Sequence, residues 1–67
     1  MDNRLKALRV MSGLSQKQLA QKVGTTQSII SFIECGHVEP RGNLKKAIAK
    51  TLETVPEKLF PSEIEES

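Results

Sequence analysis

Gln27, Ser28, Ser31 and Phe32 stand close together in the chain. At about 100° per residue they share one side of a helix whose other side carries Ile30 and Ile33. An amide, two hydroxyls and an aromatic ring make an unusual outward face, since a plain solvent face carries Lys and Glu. The Gln27 amide can donate and accept at once, which matches adenine N6 and N7 in a major groove. Ser28 and Ser31 suit bases or phosphate equally. Phe32 suits thymine methyls or sugar, or else covers an apolar neighbour. A short, uncharged face of this kind suits entry into a groove, and the competing reading is an ordinary exposed helix surface.

Catalytic and metal chemistry has much less to stand on. Cys35 and His37 are neighbours across Gly36, but no third or fourth ligand is near, so no zinc site is expected. A Cys–His nucleophile pair needs spatial opposition and an oriented base, which two residues flanking a glycine do not supply. The serines have no credible His/Asp partners, and glycine-rich phosphate-loop patterns are absent. The expectation is no enzyme, no metal and no cofactor. Cys35 reads as a partly buried thiol and His37 as a loop residue within reach of phosphate.

The elements that must position these residues run from Ser15 to Gly36, SQKQLAQKVGTTQSIISFIECG. A helix is expected after Ser15 through Val23, with Leu19, Ala20 and Val23 on its buried side. Ser15 with Gln18 forms a capping box, and Leu14 with Leu19 a hydrophobic staple, so the helix starts at Gln16. Gly24 stops it, because the residue past a helix end often needs a left-handed backbone. Thr26 (or Thr25) caps the next helix, Gln27 to Glu34, with Ile30 and Ile33 inward. Ala20 is small where the helices cross, and the two isoleucines lock the second onto the first.

This stretch resembles the helix-turn-helix of the Cro and phage-repressor class of DNA-binding domains, and Gly24-Thr25-Thr26-Gln27 is similar to the turn of lambdoid phage repressors. The likeness continues through Leu5 to Leu14 ahead and Pro40 to Phe60 behind. It implies an all-α, lambda-repressor-like bundle of five short helices around a central helix-turn-helix, binding double-stranded DNA with the second helix of the motif in the major groove. It implies base contacts from Gln27, Ser28, Ser31 and Phe32. In such proteins the residue at the position of Gln16 touches the DNA backbone and braces the first recognition glutamine. Lys17, Gln18 and Thr26 join that backbone-contacting set, and Arg41 approaches the sugar-phosphate backbone or minor groove. The resemblance also implies that Arg9 and Glu34 form an ion pair tying the first helix to the recognition helix. Leucines usual in the family are replaced here at Lys45 or Lys46.

Sixty-seven residues suit one small domain, and two Phe with no Trp or Tyr make its core aliphatic. The single Cys35 makes no internal disulfide, which suits a reducing cytoplasm. No apolar run approaches the roughly 20 residues of a membrane span, and no secretory leader is evident. Charge is divided: residues 1–50 hold nine Lys/Arg against three acids, a balance of +6, and residues 51–67 hold Lys58 against five Glu, a balance of −4. A basic body suits a polyanionic partner.

Asp2 or Asn3 is the expected cap of a first helix over Arg4 to Met11, with Leu5 and Leu8 inward and Arg9 at the stripe's edge. Pro40 forbids further helix, and Arg41 to Leu52 reads as the fourth, with Leu44, Ala47, Ile48 and Leu52 inward and Asn43 a possible true cap. Pro56 opens a last short helix through Phe60. The domain is expected over residues 1–61, with 62–67 an acidic tail lacking fixed structure. Val55, Leu59, Phe60 and Ile64 are left over once the core is filled, so a homodimer contact is placed there. The function expected is a sequence-specific transcriptional repressor acting as a dimer on a palindromic operator. A phage-type repressor, a restriction–modification controller and an antitoxin remain open within it. The rival from another class is a protein-interaction module, antitoxin-like or bridging, that keeps the fold with weak or no DNA binding and meets a toxin or co-regulator.

Overall fold

Side-chain caps start two of the helices where the sequence places them. Ser15 Oγ accepts from the Gln18 amide at 3.0 Å while Gln18 Oε1 accepts from the Ser15 amide at 2.8 Å, a complete capping box. Thr26 Oγ1 accepts from the Ile29 amide at 3.2 Å and opens the next helix. The computed structural model describes residues 4–60. Its helices are α1 (Leu5–Met11), α2 (Gln16–Val23), α3 (Gln27–Glu34), α4 (Gly42–Thr51) and α5 (Pro56–Leu59), and no strand occurs among the described residues. The fold is the expected all-α bundle.

The helix ends share one device. At the end of α2 Gly24 takes φ 80°, and the Thr25 amide reaches back to Ala20 carbonyl at 2.9 Å. That is the Schellman closure, which needs a left-handed residue. The same closure ends α4, where the Thr54 amide donates to Ala49 carbonyl at 2.8 Å. There the left-handed residue is Glu53, at φ 57°, which lacks glycine's freedom.

Every helix sends at least one fully buried aliphatic side chain to the core: Leu5, Leu19, Ile30 with Ile33, Ile48 and Leu59. Each such burial is worth about 1.5–3 kcal/mol against exposure. Helix α2 packs against both α3 and α4. The small Ala20 and Ala49, both buried, let these backbones approach. Arg4 amide donates to Leu59 carbonyl at 2.9 Å, fastening α5 to the start of α1.

Three expectations need correction. Helix α4 begins at Gly42 with Arg41 in the cap position and no side-chain cap, so Asn43 is not the cap; Pro40 and the extended Arg41 turn the chain directly into the helix. Leu59 and Phe60 are not left over: both are buried in the core, and no surface of theirs is offered to a second copy. The physical reason is that Phe60 lies beneath α4, with Lys45 Nζ 5.6 Å from its ring centroid. Lys45 is half-buried, with its charge over the ring. Cys35 is exposed, not partly buried, because it follows α3 on the outer side. Arg9, at the edge of the α1 stripe, is itself buried. Asp2, Asn3, Ile64 and the 62–67 segment lie outside the described residues.

Candidate nucleic-acid interface

The candidate surface is the outward side of α3 with the starts of α2 and α4. Gln27 and Ser28 open α3 and are exposed, Ser31 is half-buried, and Phe32 keeps 47% of its surface. The inward pair Ile30 and Ile33 fixes the rotation of the helix, so the four outward residues cannot turn away.

A polar network holds this helix in place. Arg9 Nε donates to Glu34 Oε2 at 2.5 Å and its Nη2 to Glu34 Oε1 at 3.4 Å. Arg9 Nη1 donates to Leu14 carbonyl at 2.8 Å. One guanidinium thereby ties α1, the turn before α2 and the last turn of α3. Glu34 Oε1 also accepts from Gln16 Nε2 at 3.0 Å. Gln16 Oε1 in turn faces Gln27 Nε2 at 3.4 Å, a long and weak contact. The chain Arg9–Glu34–Gln16–Gln27 runs from the core edge to the first outward residue of α3. Among the described residues no buried side-chain nitrogen or oxygen is left without a partner.

This arrangement leaves specific valences open. Gln27 gives one amide hydrogen towards Gln16 and keeps its oxygen and second hydrogen, the pair that adenine needs. Thr26 uses its oxygen as the α3 cap and keeps its hydroxyl proton. Gln18 Oε1 is committed to the cap of α2, which leaves its amide hydrogens. Lys17 is exposed beside it, and Arg41 is exposed at the start of α4. Cys35 and His37 are both exposed, and no group of three metal-ligating side chains occurs among the described residues. The Arg9–Leu14 and Gln16–Glu34 hydrogen bonds were missed from the sequence; each joins residues of different elements, and no local pattern announces them.

A helix-turn-helix family model of the Cro/C1 type matches residues 5–60, and the chain belongs to that family. It is a DNA-binding family of transcription regulators, not of enzymes. An uncharacterized HTH-type transcriptional regulator of Archaeoglobus fulgidus is 35% identical over 66 residues, covering 98% of this chain and 94% of the relative. Another, from Methanocaldococcus jannaschii, is 36% identical over 66 residues, covering 98% of this chain and all of the relative. Among solved structures, the SinR protein/SinI protein complex contains a chain that superposes with a TM-score of 0.80 at 26% identity over 96% of this chain. This chain spans 63% of the length of that solved chain. No helix among the described residues is long and apolar enough to cross a membrane.

Proposed function

We propose that this regulator is a cytoplasmic repressor that binds a palindromic operator as a homodimer, with α3 in the major groove. Gln27 reads an adenine, Ser28 and Ser31 read or grip the adjoining positions, and Phe32 packs on a thymine methyl or sugar. Gln16, Lys17, Gln18, Thr26 and Arg41 hold phosphates on either side. The observation that carries this reading is the rotation of α3: Ile30 and Ile33 are fully buried, so Gln27, Ser28 and Phe32 stand exposed on its outer side, with the adenine-matching atoms of Gln27 open. A lone recognition helix spans few base pairs, and two-fold pairing doubles the site with half-sites about one helical turn apart.

Selection of bound sites from a random duplex library tests the reading. An enriched two-fold sequence carrying adenine at matching positions supports it, and no enrichment over the starting pool sinks it. A second reading is favoured by one observation, that the similar SinR chain was solved in complex with another protein. On that reading the fold is a protein-interaction module. Retardation of random duplex at low salt separates the two, since an interaction module leaves the duplex free.

A further inference from the structure

Besides the exposed Val38 and Val55, the core and the candidate DNA surface leave an apolar place at the end of α1 unused. Helix α1 ends in Val10 and Met11, which keep 58% and 78% of their surface exposed. Met11, Leu14 and Leu52 line an open groove of about 800 Å3. Lys22 from α2 and Lys50 from α4 stand along it, with Glu53 as the acidic member. Neither lysine has an ion-pair partner among the described residues. An exposed methionine in a groove that two lysines also line is the complement of an apolar side chain flanked by carboxylates.

This chain carries such a segment. Residues 61–67 read PSEIEES, with Ile64 between Glu63 and Glu65, Glu66 beyond, and no Lys or Arg. We propose that residues 61–67 of a second copy dock in this groove, Ile64 on Met11 and the glutamates towards Lys22 and Lys50. The exchange is reciprocal, so two identical contacts close a two-fold dimer. This rests on the dimer reading above and replaces the contact that the burial of Leu59 and Phe60 removes.

Reach favours a second copy over the chain's own groove. Leu59 is fastened at the first turn of α1, and Met11 stands at the other end of that helix, about 10 Å along the axis. Four residues from Phe60 to Ile64 span at most about 14 Å. Docking at home would take up about 10 of those roughly 14 Å along the axis alone and restrict how Ile64 is seated, whereas a partner's segment carries no such tether. Each contact is small, and their combined strength comes from closing two at once. Because charge shares the work, added salt weakens it.

Charge exchange between full-length chains tests this. One variant carries Lys22→Glu with Lys50→Glu, the other Glu63→Lys with Glu65→Lys, and sedimentation equilibrium reads the mass of each alone and mixed. Each alone sets like charges together and is expected to stay monomeric, while the mixture restores both contacts and forms a one-to-one dimer. The groove substitutions lie on exposed side chains, and circular dichroism checks that both variants fold. Met11→Asp is expected to weaken self-association of the otherwise unaltered chain by about tenfold or more. A mixture that stays monomeric, or an unaltered chain that is monomeric at millimolar concentration, overturns the proposal. Operator stoichiometry is read separately: two chains per site with a non-associating mixture discards the groove and leaves the dimer standing.

Discussion

Arg9 Nε and Glu34 Oε2 meet at 2.5 Å across 25 residues of sequence, joining the last turns of α1 and α3. Both side chains are about nine-tenths buried, at 10% and 5% exposure. Burial changes what such a pair does. An exposed pair contributes about 0–1 kcal/mol, but removing one partner of a buried pair strands a charge and costs about 3–5 kcal/mol. Glu34 also holds Gln16, so the pair orients the motif as well as closing it.

Arg9→Met and Glu34→Leu are each expected to destabilise by well over 1 kcal/mol, and the double variant by less than their sum. Urea unfolding of the four proteins gives the coupling directly. Additive single effects would show that the two charges do not depend on each other.

The left-handed helix ends give a paired prediction. A Cβ added at Gly24 meets nothing within 4 Å, so Gly24→Ala costs backbone strain alone, about 1 kcal/mol. Glu53 already bears that strain at φ 57°. Glu53→Gly is therefore expected to stabilise by about 0.5–1 kcal/mol, after glycine's own entropy cost. Thermal melts suffice, and a fall in midpoint for Glu53→Gly would contradict the argument.

Core packing at the α3 rotation gives a third. Ile33 is fully buried immediately before Glu34, so Ile33→Ala leaves a cavity and is expected to cost about 2–5 kcal/mol. For a domain of this size that is much of its total stability. A broad or shifted urea transition checks it, and a loss below 1 kcal/mol would mean that the site collapses freely.

Much of this was legible because short-range chemistry marks the boundaries. Ser15 with Gln18, Gly24, Thr26 and Pro56 each act within a few residues, and each marked an end that the structure keeps. The start of α4 was not legible, since Arg41-Gly42-Asn43 offers a strong capping residue type two residues beyond the real cap. Leu59 and Phe60 misled for another reason. A four-residue helix is too short for periodicity to say which side is inward, and the cover over Phe60 comes from Lys45 of another helix. At the site, residue types announced Gln27 and its neighbours, but the line from Glu34 through Gln16 is a tertiary fact.

Sequence reading and non-specific grip should separate at Gln27 and Arg41. On the proposed reading Gln27→Ala removes a bidentate base contact, so the best operator is expected to weaken by about 1–3 kcal/mol while random duplex hardly changes. Arg41→Ala removes an exposed charge at the start of α4. It is expected to weaken all duplexes together and to flatten the log-affinity against log-salt slope by about one unit. Gln16→Ala stands between them: it removes the proposed phosphate contact and also frees Gln27, so both operator affinity and discrimination should fall. Titrating the three variants on operator and random duplex at several salt concentrations yields the slope and the specificity ratio. Gln27→Ala should change the ratio at constant slope, and Arg41→Ala the slope at nearly constant ratio. Equal loss on both duplexes for Gln27→Ala would show that α3 is not the helix that reads sequence.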